Sequence, residues 1–438
     1  MPRFTYTPLD KRTRQIRLIC FDVGAEVGQD GICLSIETYD LSTLPKYYAL
    51  SYVWGIDAPR HPLIISGKVL MARDNLWLAL LQLRIRQFDH NVLHFWIDAI
   101  CINQDDISER GHQVNLMGDI YSNAHFVVSW LGSGTIDTRI AIKAISMYNT
   151  TPDESAKSGI LAQKDHQIVS LLKLPYFERM WIVQEFILAK EVIMICGPDS
   201  FWWDSEMSTI VKKMSMELFD QGDGLSGTVW LANERANWKQ PKYDMDLDRL
   251  LVYFRKHKCL DLRDRVYALM GLLDSTQSRS WTADYTVSRE QLWCRVINSI
   301  PEDSRVLFSY TALKLWEALE LPLEDGSLEL FRFVFWVIHF DELWNAQNQM
   351  PKNIKRHHEE NLENRLDATT MFDRIIPHFD RFPPLLEPAI WQTFTKKLRK
   401  IMVSEVEQNA QSTLSPVPPR HVNRRYENDL LRPQWDQE

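Results

Sequence analysis

From Tyr47 onward the sequence alternates short, continuous apolar runs with amphipathic helical stretches, and that alternation leaves few folds open to the chain. It is the pattern of βαβ units, in which helices cover the faces of a mostly parallel sheet. The spacing predicts strands over residues 48–53, 93–97, 126–131 and 191–196, with a small extra strand at 63–66. Helices are expected over residues 75–86, 108–124 and 175–190. In the second of these, Val114, Met117, Tyr121 and Ala124 recur at helical spacing and form a stripe that would pack on the sheet, with Ser108 as N-cap. The third is apolar nearly all round, so Gln184 and Glu185 within it would be buried polar groups.

Beyond residue 200 the pattern weakens. A Gly/Asp-rich loop at 221–227 precedes helices near 247–257 and 264–273. From residue 405 the composition turns to Gln, Ser, Pro and Arg, which cannot bury enough apolar surface to order itself. The reading is an N-terminal extension over 1–44, an α/β domain over 45–200, an associated helical segment over 201–285, a mainly α-helical C-terminal region over 286–404 and a disordered tail over 405–438.

Three segments together resemble the heterokaryon-incompatibility (HET) domain family of filamentous fungi: YALSYVWG at 48–55, WIDAICINQDD at 96–106 followed by Glu109-Arg110, and RMWIVQE at 179–185. Their order and spacing agree with the family, whereas each alone would be weak. A fourth, DLRDRVYALMGL at 261–272 with Ala283-Asp284-Tyr285 after it, is similar to the segment that often follows the domain, although Leu262 stands where a proline is usual. The resemblance covers roughly residues 45–285. It implies an effector that starts growth arrest or cell death when genetically different fungal cells fuse, a form of non-self recognition.

HET domains have in turn been likened to Toll/interleukin-1 receptor (TIR) domains, which implies a TIR-like, flavodoxin-like sheet. Trp181 to Glu185 looks like the W-x-x-x-E helix of the TIR domains that cleave NAD, so the likeness makes Glu185 the catalytic carboxylate and NAD a substrate rather than a tightly bound cofactor. One carboxylate can stabilise the oxocarbenium-like state of such a cleavage, and Trp181, four residues away on the same helix face, is a ligand-binding candidate as a floor for the ribose and its attached ring. The alternative is that Glu185 pairs with an arginine such as Arg179 or Arg265 and only holds its helix in place. In that case the domain works without catalysis, by self-association or by recruiting protein partners.

Ligands of open α/β sheets sit outside the carboxyl ends of the strands, which makes Ser51, Tyr52, Trp54, Gly55 and Asp98 candidates for a pocket. A tight strand exit accounts for Ser51, Trp54 and Gly55 equally well. Asn103 and Gln104, just past the second strand, join them as candidates, with capping of the next helix as the competing explanation. No metal site is expected: the pair His357-His358 diverges around a charged segment. Cys101 has no histidine tied to it by any motif and reads as a small core residue.

Composition narrows the partners. A formal charge of -8 argues against nucleic acid. The greasiest stretch, residues 328–340, is too short and too charged for a membrane span. Six scattered cysteines without a C-x-x-C pair, and a start without a signal-peptide core, point to the cytoplasm.

Overall fold

In a computed structural model of the chain, nine strands form one sheet: β1 (Gln15–Phe21), β2 (Ile32–Asp40), β3 (Tyr47–Tyr52), β4 (His61–Ile65), β5 (Lys68–Ala72), β6 (His94–Trp96), β7 (Val127–Trp130), β8 (Val192–Cys196) and β9 (Asp199–Trp202), in the order β5-β4-β2-β1-β6-β3-β7-β8-β9. The structure describes residues 1–22, 31–86, 88, 92–218, 226–240, 245, 247–273, 282–299 and 314–321. All of them lie in one compact unit, Met1–Ile338. Residues 328–340, His357-His358 and the tail at 405–438 lie outside the described residues, as do most of 286–404.

The heart of the sheet is β6-β3-β7-β8, with every neighbouring pair parallel. In chain order these strands stand second, first, third and fourth, the arrangement of flavodoxin-like sheets, so the expected α/β architecture is present. All residues of β3, β7 and β8 are buried, as strands covered on both faces must be. The sheet as a whole is mixed. Residues 1–44, read from the sequence only as an extension, supply β1 and β2, which pair antiparallel with each other and join β6. β2 alternates buried and half-buried residues at its start and has no buried residue from Ile36 on, which is why no continuous apolar run announced it.

The helices are α1 (Asp74–Ile85), α2 (Asp98–Cys101), α3 (Ile107–Asn123), α4 (Ile136–Thr150), α5 (Glu154–Leu172), α6 (Ile182–Ile187), α7 (Ser205–Leu218), α8 (Ser226–Trp238), α9 (Leu247–Tyr253), α10 (Asp264–Tyr267) and α11 (Arg289–Ser299). The predicted stripe on α3 is buried at Met117, Tyr121 and Ala124. Its cap is Asp106, whose side chain accepts from the Glu109 backbone N–H, and not Ser108.

The single helix expected over 175–190 is broken. A turn of 3-10 helix, Pro175–Glu178, is followed by extended backbone at Arg179 (φ -81°, ψ 133°) before α6 begins. The cause is a long-range pairing: Met180 N–H donates to the Lys258 carbonyl and Lys258 N–H to that of Glu178. Helical periodicity carries no trace of such a bridge.

Among the described residues no helix is long and apolar enough to cross a membrane.

Candidate functional site

Ser51 on β3 and Ser129 on β7 are direct partners in the parallel register, both close to the strand ends where the strand order reverses. Both are buried, and each needs a hydrogen-bond partner from outside the sheet. Tyr176, from the 3-10 turn, donates to Ser129 Oγ at 2.7 Å and lies 2.9 Å from Ser51 Oγ. Ser51 in turn donates a short hydrogen bond to Glu185 Oε2.

Glu185 is 1% exposed. Its other oxygen lies 3.6 Å from Arg179 Nη1, and the same guanidinium reaches Asp98 Oδ2 at 3.9 Å and donates to the Tyr52 carbonyl. Asp98, at the N-terminus of α2, also accepts from the Trp54 indole at 2.7 Å and from the Ala99 N–H. One cation therefore lies among two buried carboxylates, at the carboxyl ends of β3 and β6.

Burial raises the Glu185 carboxyl to about 7, against the opposing pull of Arg179, while the nearby Asp98 adds to the rise and hydrogen bonds from Ser51 and Tyr121 oppose it. Asp98 is raised in the same way by burial and held back by Arg179 and Trp54. For Arg179, burial works against its charge, but Glu185 and Asp98 outweigh it and the net shift is upward. The centre favours a charged arginine and, near neutral pH, resists a second full negative charge.

Residues 47–185 match the model of the family described as heterokaryon incompatibility protein (HET). Those residues form a HET domain. Heterokaryon incompatibility protein 6, OR allele, of Neurospora crassa is 28% identical over 322 residues, an alignment covering 59% of this chain and 47% of that protein. The chain thus spans about half the length of this curated relative. No solved structure matches the chain.

Of the residues singled out by sequence, the HET domain brings Ser51, Tyr52, Trp54, Asp98 and Glu185 into one network. Gly55, at φ +76°, makes the turn that leaves its carbonyl to accept from Arg73 at 2.6 Å. Gln104 donates to the Asp98 carbonyl, and Asn103 N–H to Glu109 Oε1, so both brace the loop before α3. Glu109 itself forms a buried pair with Arg17 of β1 at 2.6 Å. Trp181 is committed elsewhere: its indole N–H donates to Asp264 Oδ2 at 3.0 Å, joining the domain to the segment that follows it.

That segment also meets the domain where Gly271 N–H donates to Gln184 Oε1 at 3.1 Å, with the Gly271 and Gly118 backbones in close approach. Arg263 instead clamps Asp261 and the Tyr285 and Val287 carbonyls, and Arg265 pairs with Glu320, so neither pairs with Glu185.

Sequence reasoning named Arg179 only as one partner Glu185 could take, and did not find Tyr176 or Ser129. Each is a single polar residue in an otherwise apolar run, and that is the signal that could have marked them. Among the described residues no group of His, Cys, Asp or Glu could hold a metal ion.

Proposed function

We propose that the chain acts in fungal heterokaryon incompatibility, as an effector that starts growth arrest or cell death, and that it does so as a protein-binding module rather than by cleaving NAD. Heterokaryon incompatibility is the role named for the Neurospora crassa relative; growth arrest or cell death is what the resemblance to the HET family implies. The mechanism rests on the enclosure of Glu185. A catalytic carboxylate must touch the substrate, whereas this one is 1% exposed and held between Ser51 and Arg179. Its polar partners hold α6 to β3 and β7, as buried polar networks do when every member is paired.

A second reading, NAD cleavage at Glu185, is favoured by one observation. The Arg179 side chain is 17% exposed, so a rotation of this one residue would uncover a carboxyl placed at the strand ends where α/β ligands bind.

Expression of the chain in a fungal host separates the two. The binding reading predicts growth arrest with cellular NAD unchanged. A fall in NAD that precedes arrest, and that Glu185→Gln abolishes at equal soluble yield, overturns it.

A further inference from the structure

A cavity of about 650 Å³ lies at the carboxyl end of β3, lined by Tyr52 and Trp54 but not by Glu185, Arg179 or Asp98. That volume suits a small molecule. Its wall is apolar and firmly built: Tyr52, Leu63, Leu76 and Ile100 are each almost fully buried. Residues 3–6 form a roof. Phe4 N–H donates to the Val69 carbonyl, Val69 N–H to that of Pro2, and the Tyr6 hydroxyl to that of Ile100.

The charges on this cavity do not cancel. Arg3 is matched by Asp105 at 2.8 Å, on the exposed rim. Arg73 lies against the Trp54 ring, 5.9 Å from its centroid, and spends one N–H on the Gly55 carbonyl. Among the described residues it has no carboxylate partner. A guanidinium offers five donors in a planar fork, so most of its hydrogen-bonding capacity is left for an anion. Beside it, the Trp54 face suits a flat apolar group.

We infer that this cavity binds a small molecule with a flat, apolar body and one anionic group, the anion on Arg73 and the body against Trp54. The inference stands apart from the role of Glu185, which does not line the cavity.

The test is a fluorescence titration of the full chain with 1-anilinonaphthalene-8-sulfonate, an aromatic anion. Saturable binding is expected, and the uncharged analogue N-phenyl-1-naphthylamine should bind about tenfold more weakly, as loss of a charge-assisted contact demands. Arg73→Gln should weaken the sulfonate by a similar factor, and Ala99→Trp, which fills the cavity, should abolish it. Equal affinity of the unaltered chain for both probes, or no saturable binding at all, overturns the inference. So does unchanged sulfonate affinity in a folded Arg73→Gln or Ala99→Trp protein.

Discussion

Arg179 stands 3.6 Å from Glu185 and lies in the extended break between the 3-10 turn and α6, so the kink at residues 179–181 and the pairing of Glu185 are one feature. The same guanidinium faces Asp98, which makes the three groups unequal. Removing Arg179 leaves two buried carboxylates facing each other, at a cost of about 3–5 kcal/mol. Glu185→Gln leaves Arg179 with Asp98 and keeps an oxygen for Ser51, so its cost is about 1.5–3 kcal/mol. Urea unfolding should therefore place Arg179→Ala well below Glu185→Gln in stability. The reverse order would mean that Arg179 is not the hub of the centre.

A pH dependence follows from the same group. Glu185 titrates near 7 when folded, against 4.5 for an ordinary glutamate, because of burial. Between those values the folded state holds the proton that the unfolded chain releases, so stability falls as pH rises from about 4.5 through about 7. Asp264, raised by burial to about 6, acts in the same direction over a lower window. The contribution from Glu185 is about 3 kcal/mol. Unfolding midpoints at pH 5 and pH 7.5 should differ by less in Glu185→Gln than in the natural chain. Equal differences in the two proteins would contradict the raised carboxyl.

Gly271 tests the joint between the HET domain and the segment after it. A Cβ there would lie 2.3 Å from Gln184 Oε1 and 3.1 Å from the Gly118 Cα. Gln184 is 2% exposed and bonded to this very residue, so it has little room to yield. Gly271→Ala should lower stability by about 1–3 kcal/mol and make the segment after residue 247 an early target of limited proteolysis. Unchanged cleavage kinetics would show that the contact does not hold the segment.

The parallel core was legible because β3, β7 and β8 are buried on both faces and so read as unbroken apolar runs. β1 and β2 were not: β1 is buried from Ile16 to Ile19 but its apolar run is interrupted by the buried Arg17, and β2 loses its burial over its second half. Ser51, Trp54, Asp98 and Glu185 were found because they stand in recognisable motifs. Arg179 as hub escaped, because the backbone kink that places it depends on Lys258, 79 positions later in the chain. Trp181 belongs to the same motif as Glu185 but serves a different partner, Asp264, which spacing alone could not reveal.

The most direct measurement is incubation of the purified full chain with NAD, following nicotinamide release over time. An enclosed, structural Glu185 predicts no release above that of buffer alone, for the natural chain and for Glu185→Gln alike. Sustained release by the natural chain that is lost in a folded Glu185→Gln protein would contradict the account and make Glu185 the catalyst.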